Sequence, residues 1–311
     1  MIESCNSFRI RDLKLNVLED KIKRIQESEL ILNPDGSVYH LNLKPENISD
    51  TILLVGDQYR VEKITKNFES IEFETQKREF KTQTGLYKGK RITVLSTGIG
   101  PDNIDIVINE LDALANIDLS TRKVKKNLTR LNLIRVGTSG SLQKDVPIDS
   151  LVLSTHGLDL NGMLHYYQID TIGNPAMEDA FIKYTNWNPK KARPIVIENS
   201  KLLEERFSSE KVFKGVTATA GGFYGPQGRV LRLPLEDPEL NIKMDTFSYD
   251  GVRITNFEME TSVIYGLSKL LGHNALSLNA IIANRANGSF SANPPQVIED
   301  LINYVLDKIV Q

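Results

Sequence analysis

Ile52-Leu53-Leu54-Val55-Gly56 decides how this 311-residue chain is built. It is a short apolar run that stops at a glycine, and the stretch after it, to about Phe68, has helical spacing. The unit recurs. A strand ending at Ser96 passes through Thr97-Gly98-Ile99-Gly100-Pro101 into a helix whose face carries Ile104, Val107, Ile108, Leu111 and Leu114. Leu131 to Val136 reads as a further strand, running into a loop at Gly137-Thr138-Ser139-Gly140.

The alternation continues outward from there. Residues 78–96 read as a hairpin turning at Tyr87-Lys88-Gly89-Lys90, and strand-like runs sit at 150–154, 212–218, 252–256 and 275–284. The last helix opens at Pro294-Pro295, where proline suits a first turn, and buries Val297, Ile298, Leu301, Ile302, Val305 and Leu306. Residues 10–27 read as a charged amphipathic helix, followed by turn chemistry at Asn33-Pro34-Asp35-Gly36. No repeat, low-complexity tract or Gly/Ser/Pro-rich linker interrupts the pattern. Strands and helices alternating throughout predict one α/β layer structure.

Composition narrows the class. Apolar content of 40% and charged content of 25% are those of an ordinary globular enzyme. A net charge of −2 argues against a nucleic-acid footprint. The one basic cluster, residues 121–130, lacks aromatics and reads as a solvated connection. A single cysteine, Cys5, excludes an intramolecular disulfide and fits a reducing compartment. With no secretory signal and no apolar run near the roughly 20 residues that span a bilayer, the expected location is the cytoplasm.

Chemistry concentrates at the strand ends. In open α/β sheets, ligands bind beyond the carboxyl ends of the strands, where loops gather backbone N–H groups. Arg60 follows Gly56 by four residues and Arg135 precedes Gly137 by two. Planar guanidinium forks match tetrahedral oxyanions, so both are candidate phosphate ligands. Asn256-Phe257-Glu258-Met259-Glu260-Thr261 sets two acids where the chain enters a helix, and one such carboxylate could accept from a pair of sugar hydroxyls. The bland alternative is that acids favour a helix N-terminus. In Gly222-Phe223-Tyr224-Gly225-Pro226-Gln227-Gly228-Arg229, Phe223 could stack on a planar base. The Gln227 amide suits the edge of a uracil ring, and Arg229 suits its developing charge. Gly98-Ile99-Gly100 has Asn103 where a dinucleotide fingerprint needs its third glycine. The four histidines (His40, His156, His165, His273) lack zinc-ligand spacing, and neither a nucleophile elbow nor a P-loop is present.

Taken together, these segments resemble the nucleoside phosphorylase family, most closely its uridine phosphorylase branch. The matching pieces, in order, are Val-Tyr-His-Leu (38–41), Val-Gly-Asp-Gln-Tyr-Arg-Val (55–61), Arg-Glu-Phe (78–80) and Ser-Thr-Gly-Ile-Gly (96–100). Then come Ile-Arg-Val-Gly-Thr-Ser-Gly (134–140), Phe-Tyr-Gly-Pro-Gln-Gly-Arg (223–229), Phe-Glu-Met-Glu (257–260) and Ile-Ala-Asn-Arg (282–285).

The resemblance implies a three-layer α/β/α sandwich around a mixed central sheet, the phosphorylase/hydrolase-like fold, as one domain over 38–311 after an N-terminal extension, 1–37. It implies a phosphate site from Gly56, Arg60, Arg135 and Thr138, with Arg78 from a neighbouring subunit. Ribose would be held by Glu260 and Met259, with Glu258 nearby, Thr138 shared and the neighbour's His40 at the 5′-hydroxyl. Phe223, Gln227, Arg229 and Ile282 would hold the base. Arg229, Gln227, Glu260 and Arg135 would carry the chemistry in a homo-oligomer, dimer or hexamer. Inorganic phosphate would be the co-substrate, with no further cofactor. The partners implied are a nucleoside and phosphate, not nucleic acid or membrane.

This chain departs from the family in places. Gly225 and Pro226 are exchanged in the base loop, and Asn103 stands where cation-binding members pair a serine with the acid matching Glu79. Purine cleavage, a hydrolytic nucleosidase and a catalytically silent nucleoside-binding protein remain the alternatives. Purine members commonly place an aspartate near the position of Asn284.

Overall fold

A computed structural model describes residues 24–311. Its elements are β1 (Thr51–Val55), α1 (Gln58–Thr65), β2 (Ser70–Lys77), β3 (Phe80–Tyr87), β4 (Lys90–Ser96), α2 (Pro101–Asn116), β5 (Ile117–Asp118), β6 (Lys123–Val124) and β7 (Asn132–Ser141). Then follow β8 (Leu151–Asp159), α3 (Pro175–Thr185), β9 (Ile195–Glu198), α4 (Lys201–Phe207), β10 (Val212–Thr219), α5 (Leu240–Thr246) and β11 (Ser248–Tyr249). The chain ends with β12 (Val252–Glu258), α6 (Thr261–Leu271), β13 (Asn274–Asn284), β14 (Ser289–Phe290) and α7 (Pro294–Val310).

Why this is a sandwich can be read from β1. All five of its residues are buried. Ile52 and Leu54 pack into one cluster with Ile104, Val107 and Leu111 of α2 and Ile264 of α6. Leu53 and Val55 point to the other side, among Val61 and Ile64 of α1 and Leu301, Ile302 and Val305 of α7. Period-two alternation thus feeds two helical layers, which is why the strand reads as continuously apolar.

The sheet has 12 strands, ordered β11-β12-β10-β8-β13-β7-β1-β4-β3-β2, with β9 on β8 and β14 on β13. It is mixed. β4, β1, β7 and β13 run parallel, while β13 meets β8 antiparallel. β12 pairs with β10 and also reaches back to β7, through Asn256↔Ser141 and Phe257↔Gly140. Strands β7, β13, β8, β10 and β12 therefore close on themselves as a small barrel at one end of the sheet.

Two expectations need correcting. The Gly137–Gly140 stretch is not a loop but the second half of β7, because β13 and β12 supply ladder partners on both sides of it. Of the expected helix at 10–27, residues 10–23 lie outside the described part, and 24–27 form coil entering a turn rather than helix. The β3–β4 hairpin, the long α7 and the strands at 212, 252 and 275 fall where the pattern set them, while β8 runs on to Asp159. The basic stretch 121–130 is a largely exposed connection carrying the short β6. Arg122 ties it to the segment before β1, its backbone O accepting from Ile25 N–H at 2.8 Å and its Nη1 donating to Leu30 O.

Candidate functional site

The ends of β1, β4 and β7 converge on a cavity of about 650 Å3. It is walled by Gly56, Arg60, Arg135, Thr138, Phe223, Gln227, Arg229, Glu258, Met259, Glu260 and Ile282 among others. Eleven of the thirteen residues singled out in the sequence meet there; Arg78 and His40 do not line it. Arg78 sits at φ 56° in the tight turn between β2 and β3, beside Glu79, which does reach the cavity. Asn103 also lines it, beside Gly98.

The floor is a charge cluster. Arg135, in the middle of β7, is buried and donates from Nη1 to Asn279 Oδ1 (2.6 Å) and from Nη2 to Glu260 Oε2 (2.6 Å), with Glu258 Oε2 at 3.2 Å. Its guanidinium folds back over Gly137, where a Cβ would fall 1.8 Å from Nη1. Burial works against the charge on Arg135, but Glu258 and Glu260 outweigh it and hold its pKa above the ordinary arginine value. Two acids around one arginine leave an excess of negative charge. Burial, reinforced by Glu258 against the pull of Arg135 and of Gly100 N–H, pushes the Glu260 carboxyl up.

Arg60 comes from α1, one turn after Asp57 caps that helix. It is buried, donates to Val136 O (3.1 Å), and its pKa is lowered first by burial and then by the charge of Arg135. Of the two guanidiniums, Arg60 is the one whose charge burial and its neighbour oppose, so it is the one an incoming oxyanion would relieve, while Arg135 already has its acids.

The two acids of the Glu-x-Glu divide their work. Glu258 caps α6 from within β12, accepting from Thr219 Oγ1 (2.8 Å), Glu260 N–H (2.9 Å) and Thr261 N–H (3.0 Å). Its oxygens are committed to the helix start and Arg135, so the preference of acids for a helix N-terminus describes this residue well. Glu260 keeps open capacity. Its Oε1 accepts from Gly100 N–H at 2.8 Å and its Oε2 from Arg135, which leaves lone pairs over the cavity for hydroxyl donors.

On the opposite wall, Arg229 lies 3.8 Å above the Phe223 ring centroid and donates to Phe223 O and to Gln227 Oε1 (2.6 Å). One face of Phe223 is therefore covered by a cation, and a planar ligand must use the other face or its edge. Burial pushes the Arg229 pKa down.

Reasoning from sequence missed Arg285, although Ile-Ala-Asn-Arg was in view. Its stem packs on Gly140 of the cavity wall and its Nη1 is buried without a partner. Burial, then the charge of Arg229, push its pKa down to about 10. Asn279 was also missed, because a mid-strand Asn carries no positional signal. It opens a run of hydrogen bonds through Ser154 (3.3 Å), Thr217 (2.5 Å from Ser154), Asn256 (2.9 Å) and Ser139 (2.9 Å), one side chain from each barrel strand.

The family model of the phosphorylase superfamily matches residues 50–307. The chain belongs to that superfamily. A uridine phosphorylase from Thermococcus kodakarensis is 30% identical over 275 residues, covering 86% of this chain and 85% of the relative. A DeoD-type purine nucleoside phosphorylase from Clostridium perfringens is 31% identical over 250 residues, 78% of this chain and 85% of its own. Among solved structures, a Trypanosoma brucei nucleoside phosphorylase that shows uridine phosphorylase activity superposes with a TM-score of 0.81 at 27% identity. The match covers 90% of this chain and 99% of that one. Among the described residues, no helix is long and apolar enough to cross a membrane.

Proposed function

We propose that this protein is a uridine phosphorylase, a pentosyltransferase that splits uridine reversibly into uracil and ribose 1-phosphate with inorganic phosphate as co-substrate. The observation that carries the reading is the pair of buried guanidiniums, Arg60 and Arg135, beneath a carboxylate with free lone pairs, Glu260, in one cavity with Phe223, Gln227 and Arg229. Breaking the glycosidic bond develops positive charge on the sugar and negative charge on the base. An anion seated by Gly56, Thr138 and the two arginines offsets the first charge and attacks the anomeric carbon. Arg229 and Gln227 take the second. Glu260 and the Met259 backbone orient the sugar for in-line attack, and Ile282 closes over the base.

Asn284 argues against the purine reading. It is buried, its Nδ2 donates to Gln143 O and Val146 O (both 2.9 Å), and its Oδ1 accepts from Ala286 N–H. It is a structural tie with no proton for a purine ring. We further propose a cytoplasmic homo-oligomer serving pyrimidine salvage, in which residues 38–311 form the catalytic domain and His40 and Arg78 complete the neighbour's site. Support comes from Lys77, adjacent to Arg78, whose Nζ binds Tyr39 O, adjacent to His40. The segments that carry the two outlying residues thus adjoin.

The deciding assay incubates purified protein with uridine, thymidine, cytidine or inosine, with and without phosphate, and follows base release by absorbance. Release from uridine only when phosphate is present is expected. Release without phosphate indicates a hydrolase, and release from inosine alone reassigns the base pocket.

A further inference from the structure

The side chain of Glu110, from the third turn of α2, reaches across to the turn that carries His40. Its carboxylate accepts the backbone N–H of His40 (3.0 and 3.1 Å to the two oxygens) and that of Leu41 (2.8 Å), and Oε1 lies 2.6 Å from His40 Nδ1. No lysine or arginine among the described residues pairs with Glu110; among them, the side chain it meets is the His40 imidazole. The ring is confined on a second side by Tyr39, edge-on at 4.9 Å, and Tyr39 is itself held under Lys77 at 4.3 Å. Nε2 has no partner among the described residues.

We propose that Glu110 is a positioning residue that fixes His40 as its Nδ1–H tautomer and so presents Nε2, as a hydrogen-bond acceptor, to the 5′-hydroxyl of a nucleoside bound in a second copy of this chain. This rests on the reading of His40 given above. A carboxylate offers only acceptors, so a 2.6 Å contact with Nδ1 requires the proton on that nitrogen, and in a neutral imidazole the other nitrogen then carries the lone pair. The two backbone N–H bonds fix the carboxylate before the ring arrives, so the tautomer is set by the turn and not by the ligand. A hydroxyl that must donate to Nε2 is favoured over a hydrogen at the same carbon, because Nε2 would otherwise be covered without a partner.

The test uses the full chain, labelled with 15N-histidine, in its native assembly. The His40 resonances are assigned by their loss in His40→Ala. The wild type should show Nδ1 protonated and Nε2 with the shift of an unprotonated nitrogen. Glu110→Gln keeps an oxygen for the backbone N–H groups but can turn an amide N–H toward the ring. It should move the proton to Nε2, raise KM for uridine about tenfold and leave KM for 5′-deoxyuridine within about twofold, with kcat little changed on both.

A wild-type His40 protonated on Nε2, or averaging between tautomers, overturns the proposal whatever the kinetics, and does so even if Glu110→Gln fails to fold. Equal loss on uridine and 5′-deoxyuridine, in Glu110→Gln or in His40→Ala, also overturns it. If the wild type cleaves no nucleoside, the functional reading falls on that assay, and the contact with the 5′-hydroxyl falls with it. The tautomer then still reports separately on the Glu110–His40 pair.

Discussion

At the scale of single residues, the site is a problem in placing charge where water cannot reach it. Arg60 is held charged against burial and against Arg135, so its worth lies in what it meets when an anion arrives. Arg60→Ala should raise KM for phosphate by roughly ten- to 150-fold, the equivalent of losing a charge-assisted contact of about 1.5–3 kcal/mol. KM for uridine should change far less, and steady-state kinetics with each substrate varied in turn measures both. Asp159 is a second misplaced charge. Its Oδ1 accepts from Asn161 and Gly162 N–H, but its Oδ2 is buried without a partner, and burial raises its pKa. A raised carboxyl contributes stability that is complete below the unfolded pKa and lost as pH rises through the folded one, so the wild type is penalised at neutral pH. Asp159→Asn should add roughly 1–3 kcal/mol near pH 7 and little near pH 4, read by urea unfolding at both pH values.

At the scale of elements, the site is set by how closely α6 approaches the sheet. Gly157 of β8 lies under the first turn of α6, and a Cβ there would stand 2.7 Å from Ser262 Cα and 3.0 Å from Ser262 N. Backbone cannot swing aside as a flexible side chain can. Gly157→Ala should therefore cost roughly 1–3 kcal/mol of stability and, by pushing Glu260 and Thr261 outward, raise KM for uridine. Unchanged melting and kinetics would show that α6 has room to move.

This is also where the sequence was most and least readable. β1 and α7 announce themselves, because burial on both faces or along one stripe leaves a periodic apolar trace. The extension of β7 through Gly137-Thr138-Ser139-Gly140 left none, since small polar residues read as loop unless strands far along the chain are known to flank them. The cavity wall was largely legible because loops after strands carry ligands as a rule of the fold. Arg285 and Asn279 were not, because each owes its role to a contact across the sheet. The Glu258 cap was half visible, as an acid at a helix start with its three donors unseen.

At the scale of the molecule, the barrel end of the sheet and the open end do different things. The closed strands β7, β13, β8, β10 and β12 carry the internal run of polar side chains that steadies Arg135 from behind. The open end carries the β2–β3 turn with Arg78, and neither Arg78 nor His40 lines the cavity of its own chain. If each site borrows these residues, two damaged chains can repair one another. Arg78→Ala and Arg229→Ala, each poorly active alone, should regain turnover when co-expressed or refolded together, since a mixed pair contains one site with both arginines. Failure to regain it would mean that each subunit completes its own site.

The bare α-carbon of Gly137 carries a meaning of its own. The guanidinium that would face the attacking anion occupies the volume any other amino acid would need for its first carbon. The depth at which this cation lies is therefore a subtraction, a vacancy in the strand into which it has been folded. A side chain at position 137 must move the Arg135 guanidinium from where it now sits between Asn279 and Glu260, so the strand's bare position and the cation's place are one feature.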